Sequence, residues 1–359
     1  RGFSIARPLL TFLVARPTMA PMSATYFPSD EIVSRYRTRR AVMGYVRLAR
    51  PFTLVAPALG MASGGVVAYF AAGRKVDDLV FLRVLLLGTI AAALLNIASN
   101  ALNQIFDLDI DRINKPGRPL CTGEVSPLGA AILAGVAGAM ALVLAAAVSA
   151  LTGHWSTLAL FIVAALFSAA YSVPPVRMKA RGWWANLTVA LPRGTLLKVA
   201  GWSLAQSVLS WEAWYIGLVM GLFLVGATTT KDFADARGDA AYGVKTLPVV
   251  HGPAKAAKLV APFLVLPFLL LPAAVGVGEL SGFRLLTGHA VDLCILGGIC
   301  AVWGAQIAVR ILSDPESLTN TENHPAWRHM YYLMIFIQVG FVLAYVPYEF
   351  YGNLIRKLT

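Results

Sequence analysis

The chain has 359 residues, 58% of them hydrophobic and 13% charged, against about 45–50% and about 25% in soluble domains. That balance excludes a soluble globular domain. It also assigns the net charge of +12 to loops flanking membrane spans, since no nucleic-acid module is present.

Residues 1–40 are basic and carry no acid before Asp30. They are expected to form a leader, for which a targeting (transit) peptide, an interfacial segment and a disordered tail are all open. The apolar piece Leu9–Ala15 is too short for a signal peptide. Residues 41–359 are expected to form one transmembrane domain. Nine apolar stretches follow, near 52–73, 79–103, 127–150, 154–172, 185–205, 212–230, 256–276, 288–312 and 328–347. Each has roughly the 20 residues that cross a bilayer as a helix. An isolated segment in lipid satisfies its backbone only within itself. The expected fold is therefore all-α, a polytopic membrane protein with nine transmembrane helices. Pro192, Pro262 and Pro267 fall inside spans, where proline kinks or breaks the helix. Cys121, Cys294 and Cys300 show no metal-ligand or disulfide spacing.

Lys and Arg gather before the first span and after the second, fourth and sixth. The positive-inside rule puts the N-terminus and those loops in the cytoplasm. A weak repeat accompanies this pattern. Asn103, Asp107 and Asp111 recur as Lys231, Asp235 and Asp239, 128 residues later. Two four-helix units plus one helix would account for nine spans, with a site at the repeat interface.

Six of the eighteen acids fall in two short stretches, Asp107, Asp109 and Asp111, then Asp232, Asp235 and Asp239. Spacing of four sets Asn103, Asp107 and Asp111 on one helical face, and likewise Asp235 and Asp239. Like charges at that spacing repel, and acids at a helix C-terminus oppose its dipole. Both clusters thus call for a cation. Hard oxygens with no His or Cys nearby suit Mg²⁺, which prefers one or two carboxylates plus substrate phosphates. Lys115, Arg118 and Lys231 in the same stretches would hold remaining phosphate oxygens. Solvated loop acids paired with Arg and Lys are the plain alternative; two aligned clusters at membrane helix ends favour function.

These residues resemble the UbiA superfamily of intramembrane prenyltransferases. The pattern N-(D/Q)-x-x-D-x-x-x-D is met by Asn103, Gln104, Asp107 and Asp111, and D-x-x-D-x-x-x-D by Asp232, Asp235 and Asp239. Arg118-Pro119-Leu120 and Gly243 to Val249 are also family-like, and the resemblance covers about 40–350. It implies helices around a central cavity open sideways to lipid, and Mg²⁺-dependent loss of diphosphate from a prenyl donor. The allylic cation would then alkylate a lipophilic acceptor. By position, Asn103, Asp107, Asp111, Asp235 and Asp239 would bind the Mg²⁺–diphosphate, with Asp232 contributing. Tyr171, Arg177 and Lys179, in a family-like Tyr171–Lys179 stretch, would contact diphosphate or acceptor, as would Arg50. Arg193-Gly194 resembles the homogentisate prenyltransferase branch. Tyr171–Lys179 followed by Gly182-Trp183 resembles chlorophyll synthases, and Lys231-Asp232 resembles ether-lipid prenyltransferases. An aromatic acceptor of quinone, tocopherol or chlorophyll type is the leading expectation. Geranylgeranylglyceryl phosphate is the alternative, and donor length and oligomeric state stay open.

Two further readings compete. A transporter fits the repeat and the membrane acids, but the acids cluster near one face and not at the midplane. A CDP-alcohol phosphotransferase requires Asp-Gly-x-x-Ala-Arg within one longer motif, which the sequence lacks.

Overall fold

A computed structural model describes residues 30–320 and 324–350. The chain divides into two units, 1–40 and 41–359. The leader expectation falls largely on residues outside the described ones. Among the described residues there is no strand, only an isolated parallel bridge between Arg181 and Lys245.

In chain order the helices are α1 (Asp30–Ala49), α2 (Val55–Ala71), α3 (Asp78–Phe106), α4 (Leu108–Asn114), α5 (Pro127–Thr152) and α6 (Ser156–Ser172). The central group is α7 (Trp183–Ala190), α8 (Leu197–Trp202), α9 (Trp211–Ala227), α10 (Thr229–Ala241), α11 (Leu247–His251) and α12 (Pro253–Val260). The last are α13 (Leu266–Ser281), α14 (Ala290–Ser313), α15 (Ser317–Asn320) and α16 (Pro325–Tyr345).

Among the described residues, six stretches are long and apolar enough to cross a membrane: Thr38–Ala71, Asp78–Phe106, Pro127–Thr152, Trp211–Ala241, Pro253–Ser281 and Ala290–Ser313. The expectation of nine long spans is met at these six. Of the other three, α6 has 17 residues, and α16 is a helix of 21 residues. The expected span 185–205 is broken. A π turn over Leu191–Leu196, containing Pro192, separates α7 from α8. Proline has no N–H for the helical ladder, so the ladder widens there. Similarly, Pro262 lies in a 3₁₀ turn, Ala261–Leu264, between α12 and α13.

Helix starts follow their capping residues. Asp77 accepts from Leu79 N and Val80 N at the head of α3, and Ser126 accepts from Gly129 N before Pro127 of α5. Small residues set the closest packing. A Cβ on Gly64 of α2 would meet Lys198 O at 2.9 Å, and one on Gly201 of α8 would meet Met61 O at 2.5 Å. Lipid offers helices no hydrophobic drive to associate, so backbones that approach this closely supply the adhesion.

The two acidic stretches lie at the ends of α3 and α9, and each continues as a helix. α3 breaks at Asp107 (φ −103°), yet Asp111 N still bonds Asp107 O at 2.7 Å across the kink. Asn103 and Asp111 are thus on two helices, not one straight face. The second stretch, expected in part as a loop beyond residue 230, is α10, continuous with α9 through Thr228.

Candidate active site

α4 and α10 are fastened together by Asn114. Its amide nitrogen donates to Asp235 O at 2.8 Å, and its oxygen accepts from Gly238 N at 2.9 Å. A Cβ on Gly238 would lie 2.6 Å from that amide, so only glycine allows the approach. The lock brings the two acidic stretches face to face.

Within the two stretches Asp107, Asp111, Asp235 and Asp239 each meet a cation. Asp107, 2% exposed, accepts from Asn103 Nδ2 (2.7 Å), from Arg177 (3.1 Å) and from Lys179 Nζ (2.7 Å). Lys179 also approaches Asp239 Oδ1 at 3.2 Å. Asp239 is fully buried, and neither of its oxygens has a hydrogen-bond partner, because that approach lacks hydrogen-bond alignment. Asp111 is paired with Arg118, and Asp235 with Lys115. Burial disfavours the Lys179 ammonium, but the carboxylates of Asp107 and Asp239 outweigh it and raise its pKa above that of a free lysine. Burial likewise pushes the Asp111 carboxyl up, against the pull of Arg118. Asp109 stands apart, exposed and bonded to Arg112 at 2.6 Å.

Two chambers meet here. The rim chamber, ≈ 650 Å³, is lined by Arg47, Arg50, Lys115, Arg118 and Lys231, with no acid among its described lining residues. The inner chamber, ≈ 220 Å³, is lined by Asn103, Tyr171, Arg193 and Asp232 among others. Arg50, Thr53, Lys231 and Trp327 line both and form the passage between them. Every expected site residue is therefore at the acid cluster or on a chamber wall. Asp232 and Lys231 face the chambers without an ion-pair partner among the described residues.

Arg50 (φ 56°) and Arg177 (φ 31°) are two of the three described non-glycine residues with positive φ, a costly conformation that needs support. For Arg50 the support comes from α3. Asn100 donates to Ala49 O (3.1 Å) and Thr53 Oγ (3.0 Å), Asn96 donates to Thr53 O (3.2 Å), and Thr53 Oγ bonds Arg50 O (2.9 Å). The sequence reading missed Asn96, Asn100 and Asn114. The signal was present in α3, where Asn96, Ser99, Asn100, Asn103 and Asp107 recur every three or four residues in an apolar span.

Among the described residues no three His, Cys, Asp or Glu side chains converge as a metal-binding group. The donor set still fits Mg²⁺, an ion usually held by one or two carboxylates with phosphate oxygens and water completing the shell. Asp239 offers two buried, unbonded oxygens beside a second acid-bearing helix, which is what such an ion requires.

The model of the UbiA prenyltransferase family matches residues 58–312. The bacteriochlorophyll synthase 34 kDa chain of Chloroflexus aurantiacus is 28% identical over 76% of this chain and 81% of its own. The homogentisate phytyltransferase of Synechocystis is 28% identical over 59% and 69%. The digeranylgeranylglyceryl phosphate synthase of Methanobrevibacter smithii is 28% identical over 58% and 69%. A UbiA homologue from Archaeoglobus fulgidus, solved with GPP and Mg²⁺, shares the fold. Its TM-score is 0.64 at 22% identity, covering 84% of this chain and 100% of that one.

Proposed function

The chain belongs to the UbiA prenyltransferase family and is a membrane-integral transferase, and we propose that it moves an isoprenyl group from a prenyl diphosphate to a lipophilic, aromatic acceptor. The observation that carries this reading is the meeting of two acid-bearing helices around Lys179, joined through Asn103 to a chamber that also opens on a cationic rim.

In this reading Asn103, Asp107, Asp111, Asp235 and Asp239 hold Mg²⁺, and Asp232 assists. The ion would neutralise the diphosphate as it leaves. Arg50, Lys115, Arg118, Arg177, Lys179 and Lys231 are the counter-charges for the remaining phosphate oxygens, which forked and multivalent donors suit. The C1–O bond of the donor breaks with its electron pair on the diphosphate. The acceptor's nucleophilic atom bonds to C1 and gives up its proton, for which the departing diphosphate is a sufficient base. Tyr171 borders the inner chamber, where it helps keep water from the allylic cation. In this reading the chain has nine membrane helices in two related four-helix units plus one, with α6, the α7–α8 run and α16 as the three beyond the six long ones. The N-terminal side and the acid-bearing loops then face the cytoplasm, as the excess of Lys and Arg there favours.

The test is turnover by purified protein with Mg²⁺ and prenyl diphosphates of graded length, against phenolic, chlorin and glyceryl phosphate acceptors. Prenylated product with stoichiometric diphosphate, abolished by EDTA, is expected. Solute flux in liposomes without any transfer would overturn the reading in favour of a transporter.

A further inference from the structure

Arg193 sits midway along the helical run from Trp183 to Trp202 and is not part of the acid cluster. It is the third residue of the π turn, a feature frequent at functional positions. The turn's backbone is fixed from behind. A Cβ on Gly194 would lie 2.6 Å from Gly221 Cα of α9, and Thr195 Oγ donates to Gly217 O at 3.0 Å. Gly194 and Thr195 thus fix the turn on α9, directly behind Arg193.

The side chain that this backbone presents is accessible, and it lines both the inner chamber and an adjoining apolar recess. Its one hydrogen bond is a long contact to Ser99 Oγ at 3.5 Å. No carboxylate pairs with it among the described residues. With one marginal acceptor, most of its five N–H donors are free to meet a ligand that enters the chamber.

Arg193 shares the inner chamber with Arg50 and Lys231, but those two also line the rim chamber and Arg193 does not. Ser99 precedes Asp107 by eight residues of α3, about 12 Å at 1.5 Å per residue. Arg50, Lys115, Arg118, Arg177 and Lys179 already crowd the acid end. Asp232 is the one carboxylate among the described lining residues of the inner chamber, and it lies on α10 at that same end.

We propose that Arg193 anchors an anionic group on the acceptor, and that this group is a carboxylate. The proposal rests on the prenyl-transfer reading above. A planar guanidinium grips a carboxylate through two parallel bonds. A phosphate monoester carries nearly two charges, and one arginine with one hydroxyl neither balances them nor satisfies all its oxygens. An acceptor held this way presents its far side toward the acid cluster, where C1 of the donor lies. Arg193 is then a specificity-determining residue for the acceptor and has no part in donor binding.

The test uses full-length protein with Mg²⁺ and saturating donor. It compares 4-hydroxybenzoate and homogentisate with their methyl esters, and with geranylgeranylglyceryl phosphate. Wild type is expected to prefer an acid over its ester. In Arg193→Gln that preference should collapse by roughly tenfold or more, through acceptor KM and not kcat, with donor KM unmoved. Arg193→Lys should recover part of it. A preference in wild type for the ester or the phosphate overturns the proposal without using any variant, so misfolding of Arg193→Gln cannot hide the answer. Equal losses on acid and ester, or a raised donor KM, also overturn it. If wild type transfers to no acceptor, the prenyl-transfer reading itself fails; if it transfers and ignores the charge, only the Arg193 assignment does.

Discussion

Two buried carboxylates at opposite ends of α9–α10 have opposite surroundings. Glu212, at the start of α9, accepts from Thr287 N (2.6 Å), from Thr287 Oγ (3.0 Å) and from the Tyr345 hydroxyl. No cation is needed, and its bonds tie α9 to the segment before α14 and to the end of α16. Asp239, near the end of α10, has two buried oxygens with no hydrogen bond and a lysine shared with Asp107. Burial alone therefore does not mark function. A buried acid whose bonds are complete is part of the frame, and one whose bonds are left open is kept for a ligand.

Substitution at the two acids should separate activity from stability. Asp239→Ala is expected to lower kcat/KM on the order of 10²–10³-fold, while the thermal midpoint in detergent stays near that of wild type. A large fall in the midpoint would make Asp239 structural and break the contrast. Asn114→Ala removes the link between α4 and α10 and touches no ligand directly. It should weaken the Mg²⁺ dependence of turnover roughly tenfold, as expected for a residue that orients ligating groups, read from a metal titration at fixed donor. Glu212→Ala should do the reverse of Asp239→Ala. It strands three donors, each costing about 1–3 kcal/mol, so the midpoint should fall by several degrees while kcat of folded protein stays within about twofold. Asp109→Ala should change neither, since an exposed pair such as Asp109–Arg112 contributes about 0–1 kcal/mol. A measurable loss of activity there would show that the acid cluster extends beyond the buried groups.

The same contrast explains what could be read from the sequence. Both acidic stretches stood out because charge is rare in apolar spans, and their spacing of four gave the helical face. Spacing of four put Asp235 and Asp239 on a helical face but could not reveal the kink at Asp107, or that α10 runs on from α9 past the apolar stretch that ends near residue 230. Glu212 and Asp239 look alike as letters. Their difference comes from Thr287 and Tyr345, 75 and 133 residues away in the chain. Asn114 was passed over for the same reason, since its partners, Asp235 and Gly238, are 121 and 124 residues further on. The broken run 183–202 was half legible, because Pro192 announced an interruption but not that it would be a π turn aiming Arg193 into the chamber.

α2 and α16, far apart in the sequence, meet through polar groups. Ser63 of α2 accepts from Lys198 and lies 2.9 Å from Gln338 of α16, while Tyr331 of α16 donates to Phe52 O. During synthesis α2 enters the bilayer more than 250 residues before Gln338 is made. Until then Lys198 has the Ser63 hydroxyl, which is also bonded within α2 to Leu59 O and Gly60 O, and the inner chamber lacks the wall that Trp327, Tyr331 and Gln338 supply. Arrival of α16 completes both at once. A chain in which α16 has not yet packed against α2 would thus keep this chamber open on one side.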